Sequence, residues 1–293
     1  MIDKENKESR TSTGRLRKPE WLKVRMSGGE SYAAVSQTLG ERGLHTICRS
    51  GSCPNIGECF RAGTATFMIL GDICTRSCRF CNVKTGRPLP VDPLEGEKVA
   101  LSIKEMGLRH AVITSVDRDD LPDGGAAVWA DVIRTIRRVC PSTTIEVLVP
   151  DFKGVEKDIR TVVEASPDII SHNMETVERL TPHVRVQAKY RRSLEVLRLM
   201  KQMGSRRTKS GIMLGLGESE EEIITTMEDM RGVGVDVITI GQYLQPTRSH
   251  LPVEEYVHPD KFAYYGTLAR KMGFLFVQSG PLVRSSYHAE EQV

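Results

Sequence analysis

A chain of 293 residues with 39% hydrophobic and 27% charged side chains, and with 25 glycines and 14 prolines spread along it, has the make-up of one main globular domain with short extensions, which excludes a collagen-like, low-complexity or largely disordered polymer. Its 41 Lys+Arg stand against 38 Asp+Glu, and the excess sits in residues 1–25, so the body is close to neutral and no nucleic-acid domain is expected. Apolar runs such as residues 67–70 fall far short of the roughly 20 residues that cross a bilayer, and the start MIDKENKESRTSTGRLRKPEW lacks the apolar centre of a secretory signal, so neither membrane insertion nor export is expected.

In chain order, residues 1–60 read as an N-terminal arm ending in a cysteine loop. Strand-like runs then follow at 66–70, 110–115, 144–149, 168–172, 209–214 and 236–240. Between them, apolar residues recur at helical spacing: Val99/Ile103/Met106, Trp129/Val132/Ile133/Ile136, Val155/Ile159/Val162/Val163, Leu194/Leu197/Met200 and Ile223/Met227/Met230. Six strand and helix alternations predict an α/β fold with a parallel sheet, a partial (β/α)6 TIM-type barrel over 61–245. Chemistry in such folds gathers at the C-terminal ends of the strands. Residues 246–293 form a short C-terminal extension: a turn-rich stretch, a helix through Phe262, Tyr265, Ala269 and Met272, and a tail containing RSSY.

Seven cysteines is an odd number, and six of them, Cys48, Cys53, Cys59, Cys74, Cys78 and Cys81, share a window of 34 residues. Disulfide frameworks belong to small secreted chains, whereas thiols clustered in a chain without an export signal are expected as metal ligands in a reduced compartment. That compartment is the cytoplasm, or a plastid or mitochondrial interior. The second triplet, Cys74, Cys78 and Cys81 in GDICTRSCRFCNV, has C-x3-C-x2-C spacing directly after the first strand, hence at the barrel mouth. A four-iron cluster usually takes four thiolates, so three leave one iron open to a small molecule. Zinc sites pair cysteines and add a second pair further on, and none follows Cys81, so a cluster is expected here. The first triplet, Cys48, Cys53 and Cys59 in CRSGSCPNIGEC, has C-x4-C-x5-C spacing, with Pro54 and Gly57 suited to a tight loop. With His45 it fits a Cys3His zinc site as well as a cluster, and the neighbouring triplet tilts the balance to a cluster. Cys140, distant from both, reads as a packed or surface thiol.

The C-x3-C-x2-C loop after the first strand of a partial barrel resembles that of the radical S-adenosylmethionine enzymes. The resemblance implies that the open iron chelates the amino and carboxylate groups of S-adenosylmethionine, and that an electron passed to the sulfonium yields a 5′-deoxyadenosyl radical. The segment GIMLGLGE, with Gly211, Gly215 and Glu218, is similar to the superfamily's glycine-containing strand beside the adenine. CRSGSCPNIGECF, GTATFMILGDICTRSCRFCNV, TSVDRDDLPDGGA, SHNMETV, YRRSL, GQYLQPT and RSSYHAEE together resemble the lipoyl synthases over residues 44–289. Arg49, Ser50 and Phe60 depart from that family's usual residues without removing a ligand.

That family implies two 4Fe-4S clusters, with Cys48, Cys53 and Cys59 holding an auxiliary, sulfur-donating one whose fourth ligand is a serine of RSSY, Ser286 by motif match and Ser285 as the alternative. An alkoxide is harder than a thiolate and more easily displaced, which suits a ligand that must leave; Arg284 stands beside it to steady the oxygen. Thr114, Ser115, Asn173, Glu175 and Arg185, at or after strand ends, are candidates to hold S-adenosylmethionine. The implied reaction places sulfur at C6 and C8 of an octanoyl-lysine on a lipoyl carrier domain, such as a dehydrogenase E2 subunit or the glycine cleavage H protein. It calls for an electron donor such as ferredoxin or flavodoxin and an iron-sulfur carrier for rebuilding, with no nucleic acid and no membrane. The acidic run Asp117/Asp119/Asp120 reads as a solvated loop, and Arg185, Lys189, Arg191 and Arg192 as a basic stretch facing a partner or water. Competing readings are a biotin-synthase-like or RNA-methylthiolating enzyme, a two-cluster electron carrier and a zinc-stabilised binding module.

Overall fold

A computed structural model describes residues 16–23, 44–46, 55, 64–287 and 289–292. Its main sheet has seven strands, all parallel, in the order β1 (Thr64–Ile69), β4 (His110–Ser115), β5 (Thr144–Leu148), β6 (Ile169–Ser171), β7 (Thr208–Leu214), β8 (Val237–Gln242) and β9 (Phe276–Ser279). The short pair β2 (Ile73–Cys74) and β3 (Lys84–Thr85) forms a separate two-stranded ladder. Between the main strands run α1 (Glu95–Glu105), α2 (Ala126–Val139), α3 (Glu156–Glu164), α4 (Thr181–Val184), α5 (Tyr190–Gln202), α6 (Glu220–Gly232) and α7 (Pro259–Lys271). The architecture is α/β with an open, partial barrel: sequential strands are neighbours throughout, and β1 and β9 are the two edges.

All six expected strands are present. Strand β4 is buried along five of its six residues, as a parallel strand covered on both faces must be. Helix α2 turns Trp129, Val132, Ile133 and Ile136 inward, each fully buried, and Ile159 and Val162 of α3 do the same. Two large apolar clusters result, one centred on β1, β4 and β5 with α1 to α3, the other on β7 and β8 with α6 and α7. The capping box of α6, with Ser219 accepting from Glu222 N–H and the Glu222 carboxylate accepting from Ser219 N–H, follows from the S-E-E-E sequence. Strand β9 is the addition: the terminal segment supplies a seventh strand, and all four of its residues are half-buried, which leaves no alternating pattern to announce it. No helix among the described residues is long and apolar enough to cross a membrane. Cys140 is buried, its thiol aimed at the Ala100 carbonyl at 3.5 Å, in keeping with a packed thiol.

Candidate functional site

Strand β1 ends in a sharp turn in which Leu70 (φ 67°) and Gly71 (φ 96°) adopt left-handed conformations. The buried Leu70 N–H is caught by the Glu95 carboxylate at 2.9 Å. The chain then enters the loop carrying Cys74, Cys78 and Cys81, closed at its base by the β2/β3 ladder. Its backbone is held from several sides: Thr75 N–H donates to Asp117 O, Arg79 N–H to Val184 O, and Leu251 N–H to Arg79 O, while His250 Nε2 lies 3.0 Å from the Cys81 carbonyl. Cys74 Sγ accepts from two backbone N–H groups, of Arg76 at 3.4 Å and Asp117 at 3.3 Å, the setting that favours a thiolate. Against this, burial, reinforced by the Asp117 charge, pushes Cys74 up to about 11, and burial pushes Cys78 up to about 12. Without a bound cation the sulfurs are thiols, and metal loading must expel their protons. Among the described residues no three His, Cys, Asp or Glu side chains stand close enough to ligate one metal ion. Cys74, Cys78 and Cys81 nonetheless line one cavity.

Arg76, inside the cysteine motif, is the loop's main anchor. Its buried guanidinium donates to Asp119 through Nε (2.7 Å) and Nη2 (2.9 Å), to Asp151 through Nη2 (2.6 Å), and faces Asp117 at 3.3 Å. The expectation of a solvated acidic run is thereby corrected: Asp117 and Asp119 close on Arg76, and Asp120 pairs with Arg118 at 2.9 Å. The cause is tertiary, since the run follows β4 and lands on the rim beside the cysteine loop. Burial alone would push the Asp151 carboxyl up, but the Arg76 hydrogen bond and charge hold it down at about 2. The basic stretch is likewise not one face. Arg185 is buried, donating to Met174 O and Ser193 Oγ, Arg191 pairs with Glu178, and Arg192 reaches Asp151 at 3.4 Å.

At the C-terminal ends of the strands lies a cavity of about 360 Å³, within the usual range for small-molecule sites. It unites most of the residues the sequence singled out: Cys74, Cys78, Cys81, Thr114, Ser115, Asn173, Glu175, Arg185, Gly211, Arg284, Ser285 and Ser286. Two buried polar atoms on its wall, Ser115 Oγ and Asn173 Oδ1, have no hydrogen-bond partner. Asn173 Nδ2 donates to Glu175 Oε1 at 3.0 Å and to Ser285 Oγ at 2.8 Å. Glu175 sits at φ 64°, and burial, opposed by the Arg185 charge, pushes its carboxyl up. His172 donates from Nδ1 to the Val149 carbonyl (2.9 Å), which leaves Nε2 to accept from Ser193 Oγ (2.9 Å). Burial, helped by Arg185, lowers its pKa to about 4, so it is neutral. Below, Lys209 and Glu146 form a fully buried ion pair at 2.9 Å.

Gly215 and Glu218 fall outside the cavity lining. Gly215 takes φ 104°, and the Glu218 carboxylate accepts from Gly215 and Leu216 N–H, so the two build the turn after β7. At Gly211 a Cβ would lie 2.4 Å from Thr239 Oγ1 on the next strand; the missing side chain makes room for a neighbour within the sheet.

The C-terminal segment reaches this cavity because β9 runs beside β8 and the chain then turns back across the rim. Gly280 N–H donates to Ile240 O, Gln242 N–H to Pro281 O, and Asn55 Nδ2 to Leu282 O at 2.7 Å. Gly241 is required here, since a Cβ would meet the Val283 carbonyl oxygen at 2.2 Å. Cys48, Cys53 and Cys59 lie outside the described residues. Asn55, between the second and third of them in sequence, is described, and its hydrogen bond reaches Leu282, two residues before Arg284. Arg76, Asp151, His172, Gly241 and Asn55 are the residues the sequence reading missed; Asp151, His172 and Gly241, at or just past expected strand ends, carried a positional signal.

A family model described as the Radical SAM superfamily matches residues 68–230. The lipoyl synthase of Flavobacterium johnsoniae is 60% identical over 276 residues, covering 94% of this chain and 96% of its own. The mitochondrial lipoyl synthase of Nematostella vectensis is 58% identical over 276 residues, covering 94% and 95%. A crystal structure of a maturase of the FeFe hydrogenase aligns with a TM-score of 0.58 over 86% of this chain and 64% of that one, at 14% identity, a likeness of fold alone. Identity of this order along almost the whole length, in a partial barrel whose three-thiol loop and terminal serines share one cavity, leads to one conclusion: the chain belongs to the lipoyl synthase family, within the radical SAM superfamily.

Proposed function

We infer that the chain inserts sulfur at C6 and C8 of an octanoyl group amide-linked to a lysine of a lipoyl carrier protein. The observation that carries this reading is the single cavity that Cys74, Cys78 and Cys81 share with Ser285 and Ser286 from the far end of the chain. The residues fit the implied groups: three thiols lining one cavity, two buried polar atoms without partners, and a serine hydroxyl in the same lining. When bound, the clusters and S-adenosylmethionine supply the radical that reaches unactivated C–H bonds and the sulfur that replaces hydrogen.

The chain's own residues bind, orient and exclude water. Cys74, Cys78 and Cys81 hold one 4Fe-4S cluster, and Cys48, Cys53, Cys59 and Ser286 hold the other. Ser115 Oγ and Asn173 Oδ1 take hydrogen bonds from S-adenosylmethionine, with Thr114, Glu175 and Arg185 completing its polar wall and Gly211 its flat side. Met68, Val112, Leu148, Val149 and Met213 line the same cavity and provide the dry wall an eight-carbon chain needs. Arg284 steadies the oxygen of its neighbour Ser286. In this reading residues 1–60 carry the auxiliary cluster, 61–245 the radical centre and 246–293 the serine ligand. Carrier domains of dehydrogenase E2 subunits and of the glycine cleavage H protein are the substrates, a ferredoxin or flavodoxin is the reductant, and an iron-sulfur carrier rebuilds the spent cluster, in the cytoplasm or an organelle interior. Of the 185–192 stretch, Arg185 is buried and so offers no docking surface, while Lys189 and Arg191 are exposed.

The test is anaerobic reconstitution with iron and sulfide counting and mass spectrometry of an octanoylated lysyl peptide. Replacing Cys74, Cys78 and Cys81 by Ala should remove one cluster and all 5′-deoxyadenosine. Replacing Cys48, Cys53 and Cys59 should keep 5′-deoxyadenosine and abolish lipoyl product. Cleavage surviving the first set, or product surviving the second, would overturn the assignment.

A further inference from the structure

Residues 281–287 form a strap across the cavity mouth, pinned from two directions. On one side Asn55, which lies between Cys53 and Cys59 in sequence, donates to the Leu282 carbonyl at 2.7 Å. On the other, Asn173 Nδ2 donates to Ser285 Oγ at 2.8 Å. Between them Val283 O packs onto Gly241 with no room for a Cβ, so the strap cannot settle deeper. Tyr287 N–H donates to Arg284 O at 2.9 Å, closing a turn with Ser285 and Ser286 at its centre. That turn gives adjacent hydroxyls different tasks: Ser285 meets Asn173, and Ser286 is left to the cavity.

Asn173 is a joint with one open end. Both protons of its amide nitrogen are used, one on Glu175 Oε1 and one on Ser285 Oγ, while its buried Oδ1 has no partner. A donor from a cavity occupant would satisfy Oδ1. An amide whose carbonyl accepts a hydrogen bond becomes a better donor at nitrogen, because hydrogen bonds in series polarise one another.

We propose that Ser285 is a positioning residue: its hydrogen bond with Asn173 latches the strap to the wall that holds S-adenosylmethionine, so that filling this cavity tightens the strap and fixes Ser286 in place. This rests on the reading that S-adenosylmethionine occupies the cavity, and it adds that the sulfur-donating half senses the occupant. Coupling of this kind is reciprocal, so the latch must tighten S-adenosylmethionine by the factor by which S-adenosylmethionine tightens the latch. One hydrogen bond makes that factor about three- to tenfold.

The test uses the anaerobically reconstituted holoenzyme without reductant, so that nothing turns over. Amide exchange in the 280–287 peptide is followed by mass spectrometry with and without S-adenosylmethionine, and the S-adenosylmethionine Kd is measured by equilibrium dialysis. In the unaltered enzyme S-adenosylmethionine should slow exchange in the strap by about three- to tenfold. Ser285→Ala should keep full iron and sulfide, lose this protection and weaken S-adenosylmethionine by the same factor, and Ser285→Thr, which retains the hydroxyl, should restore both. Binding with no strap protection in the unaltered enzyme overturns the latch alone, as does protection that survives Ser285→Ala. Loss of iron from Ser285→Ala, which the loss of a serine ligand alone is not expected to cause, would mean that Ser285 holds the cluster site together and likewise overturn the latch. No binding by the unaltered enzyme overturns both the latch and the reading beneath it.

Discussion

Arg76→Met should destabilise the enzyme by about 3 kcal/mol, the low end of the cost of breaking a buried ion pair. The structure sets the size. Asp151 is fully buried and loses the shortest of its contacts, the one to Arg76 at 2.6 Å. Asp119 and Asp117 are 29% and 24% exposed and recover water, so they add little. Arg192 remains 3.4 Å from the other Asp151 oxygen and spares part of the loss. A second route gives a similar size: holding Asp151 at about 2, against its ordinary 3.8, corresponds to about 2 kcal/mol. For a chain of 293 residues about 3 kcal/mol lowers the melting temperature by roughly 5 °C. Thermal unfolding of the anaerobic holoenzyme, followed by circular dichroism, measures it. Arg76→Met with Asp151→Asn should melt above Arg76→Met alone, because the stranded charge is gone. A double variant that loses the sum of the two single losses, or an Arg76→Met protein melting within about 2 °C of the unaltered one, would refute the anchoring argument.

Stability should also fall with acid through His172. Its folded pKa, about 4, lies below its ordinary 6.5, so the folded state binds fewer protons between these values; stability is full above about 6.5 and declines towards pH 4. About 2 kcal/mol should be gone by pH 5, and His172→Gln should flatten the profile in denaturant titrations at pH 7 and 5; equal slopes for both proteins would contradict a buried neutral imidazole. Gly241→Ala puts a Cβ 2.2 Å from the Val283 carbonyl and must lift the strap. It should leave 5′-deoxyadenosine formation largely intact and cut lipoyl product by about 100-fold, the cost of misplacing a reacting group by about 1 Å, and unchanged product by mass spectrometry would show that the strap does not place the sulfur donor. Ser286→Ala should retain both clusters by iron count and lose most sulfur insertion, whereas full product would remove Ser286 from the ligand set.

The periods in this chain carried the six expected strands and their helices, because a parallel strand buried on both faces and a helix buried on one leave their marks locally. The C-x3-C-x2-C triplet pointed to a cluster for a similar reason, since ligand spacing is a local property; the first triplet fitted zinc as well on spacing alone, and RSSY took its role from the family resemblance. Strand β9 left no such mark: it is half-buried throughout and owes its place to pairing with β8. The site's supports are of another kind. Arg76 with Asp151, Lys209 with Glu146, Asn173 with Ser285 and Asn55 with Leu282 join positions 75, 63, 112 and 227 residues apart. Each meeting depends on which strand ends become neighbours around the rim, and the same acidic run that looks solvated in sequence becomes the clamp of the cysteine loop once β4 is set beside β1. Periodicity tells a residue which face it is on; only the order of the strands in the assembled sheet tells it which residue it faces there.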